Sequence, residues 1–259
     1  MATRTAPHDP APDALPPPPI LDPGRDALFL DLDGTLAPIR PHPSQVELDR
    51  RTLDLLARLS RAFAGRVAVV SGRELADVDR LTGGSVAAVA GVHGLDRRNG
   101  ARRSRAEPAP GVARAVERFR AFGADAPGTL VEDKGLSAAL HYRQAPDRAE
   151  AAQALARALA AEHGLALQTG KMVVELRTPG ADKGAALAAF MAEAPFAGSR
   201  AWFVGDDDTD EAGFRAAAAH GGAGVLVGPP KPTAARHRLP DVGAVADWLA
   251  ACLDGGAGR

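Results

Sequence analysis

Short apolar runs that end in polar residues, separated by amphipathic stretches, shape the first and last parts of this 259-residue chain. ALFLDLD at 27–33, RVAVVSG at 66–72 and SVAAVAG at 85–91 read as buried strands. Between them, LDRRTLDLLARLSRAF at 48–63 and RELADVDRL at 73–81 carry apolar residues at helical spacing. A βαβαβ succession of this kind predicts an α/β fold, a Rossmann-like parallel sheet with helices on both faces. The same rhythm returns after Pro179-Gly180. A helix is expected from 182, a strand at RAWFVGDDD, a helix from about 210, a strand at GAGVLVG and a last helix from about 242.

The middle of the chain is built differently. TLVEDKGLSAALHYR, 129–143, predicts two strands joined by a turn at Lys134-Gly135, and an alanine-rich helix is expected over 147–163. LALQTGKMVVELR, 165–177, predicts two further strands around Thr169-Gly170. The expected organisation is a core of residues 26–104 and 179–259, with a smaller α+β unit, 105–178, inserted into it. The proline-rich residues 1–25 are expected to form a disordered or extended leader.

Composition excludes several classes. Thirty-one basic against 32 acidic residues leave a net charge of −1, which argues against a nucleic-acid binder working through a broad basic face. The one basic run, RRNGARRSR at 97–105, reads as a solvated loop. The single cysteine, Cys252, excludes an internal disulfide and a cysteine-based zinc cluster, and its apolar neighbours make it a core filler. No apolar run approaches the roughly 20 residues needed to span a bilayer. The first residues lack the apolar centre of a signal peptide, so a cytoplasmic protein without a membrane partner is expected. With aromatics at 4%, alanine, leucine and valine are expected to fill the core.

Polar residues placed beyond strand ends are where a parallel sheet collects its chemistry. Asp31 and Asp33 close a buried strand, a costly arrangement without a cation to neutralise it. Ser71-Gly72-Arg73, Lys183 at a helix start, and the acids of GDDDTDE at 205–211 stand at comparable places. Any one of them alone fits a turn or a helix cap. Together they suit phosphoryl transfer through a carboxylate nucleophile, with Mg²⁺ and a lysine offsetting the repulsion between carboxylate and phosphate.

In this order DLDGT, SGR, DKG and GDDDTDE resemble the four-motif set of the haloacid dehalogenase phosphatase superfamily. The resemblance implies Asp31 as nucleophile and Asp33 as general acid and base. Ser71 and Lys183 would bind the phosphoryl group beside Gly72 and Arg73. Mg²⁺ would be held by Asp31, Asp206 and the backbone carbonyl of Asp33, with Asp207 and Asp210 in support. The inserted unit resembles the mobile cap such enzymes carry.

GVHG at 91–94, EDK…LHYR at 132–143, GKMVVELRTPGADKG at 170–184 and GDDDTDE further resemble the trehalose-6-phosphate phosphatase family, over nearly the whole chain after the leader. That likeness implies sugar contacts by His93, Gly94, Glu132, Lys134, Arg143, Lys171 and Glu175, with His141 and Arg177 supporting the cap sheet. Asp96 and Asp182 depart from the usual glutamate and asparagine. The implied activity is Mg²⁺-dependent hydrolysis of trehalose 6-phosphate through an aspartyl-phosphate. The implied functional partner is a separate trehalose-phosphate synthase, since no attached synthase domain is expected. The alternatives are a cap-bearing phosphatase for another sugar phosphate, such as sucrose 6-phosphate, and a non-catalytic sugar-phosphate sensor.

Overall fold

The computed structural model describes residues 15–256. The chain begins its regular structure with β1 (Asp26–Leu30), α1 (Arg50–Ala62), β2 (Val67–Val70), α2 (Leu75–Thr82) and β3 (Ala88–Gly91). Next come β4 (Asp96–Asn99), β5 (Arg102–Arg105), α3 (Gly111–Ala124), β6 (Leu130–Asp133), β7 (Ser137–His141), α4 (Ala149–His163), β8 (Ala166–Gly170) and β9 (Val173–Arg177). It ends with α5 (Lys183–Met191), β10 (Arg200–Gly205), α6 (Glu211–Ala219), β11 (Ala223–Val227), β12 (His237–Leu239) and α7 (Val242–Gly256).

Two sheets result. The larger has eight strands in the order β12-β11-β10-β1-β2-β3-β4-β5, parallel from β12 to β3 and antiparallel at β3-β4 and β4-β5. Alternate residues of its strands feed opposite faces, as a pleated strand demands. Leu28, Leu30, Val67, Val69 and Val204 join Leu56, Leu59 and Trp248 in one apolar cluster. Ala27, Phe29, Ala68, Val70 and Phe203 join Phe190, Phe196 and Phe214 in the other. Small alanines on that second face leave room for the phenylalanines, and Phe196 stacks 5.3 Å from both Phe29 and Phe190. Aromatics thus fill more of the core than their scarcity suggests: seven of the eight phenylalanines are fully buried.

The smaller sheet, β6-β7-β9-β8, is antiparallel throughout. One face is covered by α3 and α4 through Val112, Val116, Phe119, Ala152, Ala156 and Leu159. The other face looks toward the carboxyl edge of the large sheet, and the two enclose a cavity.

Four expectations need correction. The basic run at 97–105 is a β-hairpin, β4-β5, because Arg97, Arg98 and Arg103 find Glu193, Asp79 and Asp96 as partners. Residues 15–25 are an ordered strap, and residues 1–14 of the expected leader lie outside the described residues. Pro16 and Pro19 carbonyls accept from the Arg238 amide at 3.0 Å and Trp248 Nε1 at 2.9 Å, while Leu21 is buried beside Cys252. Helix α3 adds a layer that the sequence reading did not anticipate. The β8-β9 turn falls at Lys171-Met172, where Met172 has φ 65°, two residues beyond the Thr169-Gly170 expected. Among the described residues no helix is long and apolar enough to cross a membrane.

Candidate active site

Four strands of the parallel part deliver polar residues to one edge. Asp31 and Asp33 follow β1, Ser71, Gly72 and Arg73 follow β2, and a 3₁₀ turn at Val92–Gly94 carries His93 after β3. Asp206, Asp207 and Asp210 follow β10, and Lys183 opens α5. Lys183 Nζ donates to Asp31 Oδ1 at 2.7 Å and to Asp210 Oδ1 at 2.6 Å, all three side chains being buried. Asp31, Asp206 and Asp210 bring ligand atoms within 4.8 Å of one another.

The electrostatics follow from burial. Burial pushes the Asp31 carboxyl well above the usual carboxylate range; Lys183 opposes this, while Asp210 and Asp206 add to it. Burial likewise raises Asp206, against the pull of Lys171. Burial disfavours the charge of Lys183, yet Asp210 and Asp31 hold its pKa above the ordinary value. Two of the three clustered acids are thus reluctant to ionise together, which is the condition a cation relieves.

The donor set fits a divalent ion. Its ligands are hard carboxylate oxygens, as Mg²⁺ and similar ions prefer. Two of the acids lie against backbone that only glycine leaves open. A Cβ on Gly34, whose φ is +88°, would stand 2.3 Å from Asp206 Oδ2, and one on Gly205 would stand 2.2 Å from the Asp210 carboxyl carbon.

Asp33 is placed apart from this cluster. Arg73 grips its carboxylate with Nε at 2.7 Å and Nη2 at 2.8 Å, and also reaches the Pro43 carbonyl at 3.1 Å. The Asp33 side chain therefore does not join the acid cluster, in which Asp210 takes a place beside Asp31 and Asp206. Arg73, expected beside the phosphate, lines the cavity with its guanidinium paired to Asp33. Ser71 is buried at the cavity wall, its Oγ accepting from the Arg73 amide at 3.2 Å. Asp207 lines the cavity, and its carboxylate caps the amide of Asp208 at 2.7 Å.

The cap sheet supplies the opposite wall. Register places Glu132, Ala139, Glu175 and Gln168 in one row across the four strands. Glu175 is the hub: Lys134 Nζ donates to its Oε1 at 3.2 Å, Ser137 Oγ at 2.5 Å, and His93 Nε2 lies 3.2 Å from Oε2. Burial works to raise the Glu175 pKa, but Lys134, His93 and Ser137 together hold it well below the usual range. Burial holds His93 below its ordinary value, against the pull of Glu175. Lys134 also donates to the Gly72 carbonyl at 3.0 Å, tying cap to core. Glu132 binds His141 Nε2 at 2.6 Å.

The turn between β8 and β9 brings Lys171 Nζ to 2.7 Å from Asp206 Oδ2. Arg143 braces that turn, donating to the Lys171 carbonyl at 3.0 Å and the Arg40 carbonyl at 2.8 Å. The cavity so enclosed measures about 330 Å³. A second, of about 280 Å³, lies on the far side of His93, Gln168 and Lys183, which line both.

Some expected residues lie elsewhere. Gly94 does not line the main cavity; with φ +103° it packs on α5, where a Cβ would meet that of Ala186 at 2.9 Å. Arg177 donates to the Ala181 carbonyl and faces the second cavity. Asp96 is a buried partner of Arg103, and Asp182 caps α5 through the Ala185 amide at 2.7 Å. Wall residues that escaped sequence reasoning include Gln168, Ala139, Glu74, Asp77 and the Ile39–Val46 loop. Their signal is cross-strand register for the first two and adjacency to DLDGT for the loop.

A parallel sheet with carboxylates, a serine and a lysine at its edge, facing an inserted α+β unit, is the fold of the haloacid dehalogenase class. The same fold occurs in a solved haloacid dehalogenase subclass IIB sugar phosphatase, with TM-score 0.60 and 13% identity over 89% of this chain and 99% of that one. Within the class, the chain belongs to the trehalose-phosphatase family, whose model matches residues 29–242. It is 42% identical over 226 residues to the trehalose-6-phosphate phosphatase of Escherichia coli (strain K12), covering 86% of this chain and 85% of that protein. A solved trehalose-6-phosphate phosphatase related protein superposes with TM-score 0.77 and 27% identity, over 89% and 98% of the two chains.

Proposed function

We propose that the protein hydrolyses trehalose 6-phosphate to trehalose and inorganic phosphate with Mg²⁺, and that a trehalose-phosphate synthase supplies its substrate. The observation that carries this reading is the meeting of two surfaces in one cavity: a phosphoryl-transfer edge on the core and a hydrogen-bonding row of Glu132, Lys134, Glu175 and Gln168 on the cap. A disaccharide presents many hydroxyls, and alternating carboxylates and cations satisfy them.

An Asp31 carboxylate oxygen attacks phosphorus, the ester P–O bond breaks, and Asp33, protonated, gives its proton to the departing sugar oxygen. Asp33, now ionised, then takes a proton from water as that oxygen attacks the aspartyl-phosphate. The acyl-phosphate bond breaks, leaving inorganic phosphate and the free Asp31 carboxylate. Arg73 holds the ionised Asp33 in place for the second transfer, in which it takes the proton from water. Lys183 neutralises the phosphoryl oxygens, and the Ser71 hydroxyl donates to them. Asp31, Asp206 and Asp210 would hold Mg²⁺, which would supply charge neutralisation at the phosphoryl group. Asp207 lies beside this set.

The test is phosphate release from trehalose 6-phosphate, sucrose 6-phosphate, glucose 6-phosphate and p-nitrophenyl phosphate, each with Mg²⁺ and with EDTA. Metal-dependent preference for trehalose 6-phosphate is expected. Release from all four alike would retain the core chemistry and remove the sugar assignment.

A further inference from the structure

Lys171 belongs to the cap, yet its partner belongs to the core's acid cluster. Its Nζ lies 2.7 Å from Asp206 Oδ2, and the Asp206 carboxylate has the Gly34 backbone against it. Arg143 fixes the turn by bonding the carbonyls of Lys171 and Arg40. Lys183 accounts for the other two acids, Asp31 and Asp210. With the cap shut, each clustered carboxylate therefore has an ammonium partner, and one of those ammonium groups arrives with the cap.

We propose that Lys171 competes with the divalent cation for Asp206, so that cap closure and metal loading oppose each other until a phosphate dianion enters the site. This rests on the metal-dependent phosphatase reading above. Three carboxylates and two ammonium groups leave the shut site one net negative charge. A divalent ion added to it reverses that to one net positive charge in a largely buried place, where like charges repel strongly. A phosphate dianion returns the balance to negative and gives Lys171 a second anionic partner. Lys171 is 53% exposed, so its side chain is free to leave Asp206 without disturbing packing. The cap's cation thus couples the order of events: the ion loads while the cap stands off, and the phosphate group makes closure and metal compatible.

The test measures Mn²⁺ affinity by electron paramagnetic resonance on the full chain, without substrate, for wild type, Lys171→Met and Lys171→Arg. Melting temperature serves as the folding control. Lys171→Met is expected to bind Mn²⁺ roughly fivefold or more tightly, at the low end of typical site-to-site couplings. Lys171→Arg, which keeps the charge, is expected to match wild type. Added inorganic phosphate is expected to tighten Mn²⁺ binding more in wild type than in Lys171→Met. Equal or weaker Mn²⁺ affinity in Lys171→Met overturns the inference and makes Lys171 a support for Asp206 as ligand. Absence of Mn²⁺ binding in all three removes the metal-dependent reading and this inference with it.

Discussion

Lys183 holds two buried carboxylates on one ammonium, so its removal is expected to cost stability as well as activity. Lys183→Met leaves Asp31 and Asp210 buried without their shared counter-charge, a change that costs about 3–5 kcal/mol when one partner of a buried pair is removed. Urea unfolding near neutral pH is expected to read that loss. The sign of its pH dependence follows from burial. Asp31 already has a raised folded-state pKa, and without the lysine it rises further. A raised carboxyl favours the fold in its protonated form, so stability is present in acid and lost as pH rises through the folded pKa. The variant is expected to approach wild type as pH falls; a deficit that grows in acid would contradict this. Asp33 differs, because the role proposed for it is proton transfer rather than charge balance. Asp33→Asn is expected to slow phosphate release from trehalose 6-phosphate by about 10²–10⁴-fold, the range of a general acid. Asp31→Asn is expected to abolish it.

At the scale of elements, the cap sheet works through a row rather than through any single residue. Ala139 sits in that row between Glu132 and Glu175, and its methyl group is the floor of the cavity. Ala139→Leu fills the space a sugar ring would need while leaving the core edge untouched. The expected result is a large fall in kcat/KM for trehalose 6-phosphate with turnover of p-nitrophenyl phosphate retained; an equal fall for both esters would show that the row reaches the chemistry itself. The row also carries a pH response through the His93–Glu175 contact between core and cap. Burial depresses His93 below its ordinary 6.5, so the closed arrangement favours neutral imidazole. As pH falls below that value, protonation of the freed imidazole opposes closure. Glu175, depressed below its ordinary 4.5, keeps its contribution until the pH is lower still. Hydrogen-exchange protection of the cap, corrected for the intrinsic slowing of exchange in acid, is expected to fall from about pH 7.5 to pH 5.5, and His93→Asn is expected to remove the difference.

At the scale of the whole molecule, the parallel sheet and its edge chemistry were legible because each apolar run stops at a polar residue, as Leu30 does at Asp31 and Val70 at Ser71. The insertion was legible from hairpin signals at Lys134-Gly135. What escaped depends on partners far along the chain. The β4-β5 hairpin is a row of arginines whose neutralising acids, Asp79 and Glu193, lie in other elements. β12 has only three residues, and Gln168 and Ala139 gain meaning only once register is known. The proline-rich strap is the clearest case. Prolines without amide donors look unstructured in a sequence, yet their carbonyls serve Arg238 and Trp248 here, and Leu21 completes a cluster with Trp248, Leu249 and Cys252. This strap lies on the β12 and α7 side of the sheet, away from the cavity lining. It is therefore expected to contribute to stability alone. Trp248→Phe removes the donor to the Pro19 carbonyl, a hydrogen bond worth about 1 kcal/mol. Leu21→Ala opens a cavity in a residue 3% exposed, a loss of about 2–5 kcal/mol. For a chain of this size each kcal/mol lowers the melting temperature by roughly 2–4 °C. Calorimetry is expected to show Leu21→Ala melting below Trp248→Phe and both below wild type. KM for trehalose 6-phosphate is expected to stay the same in all three. A KM that moved with the melting temperature would mean that the strap communicates with the cap–core cavity through α7 and the central sheet.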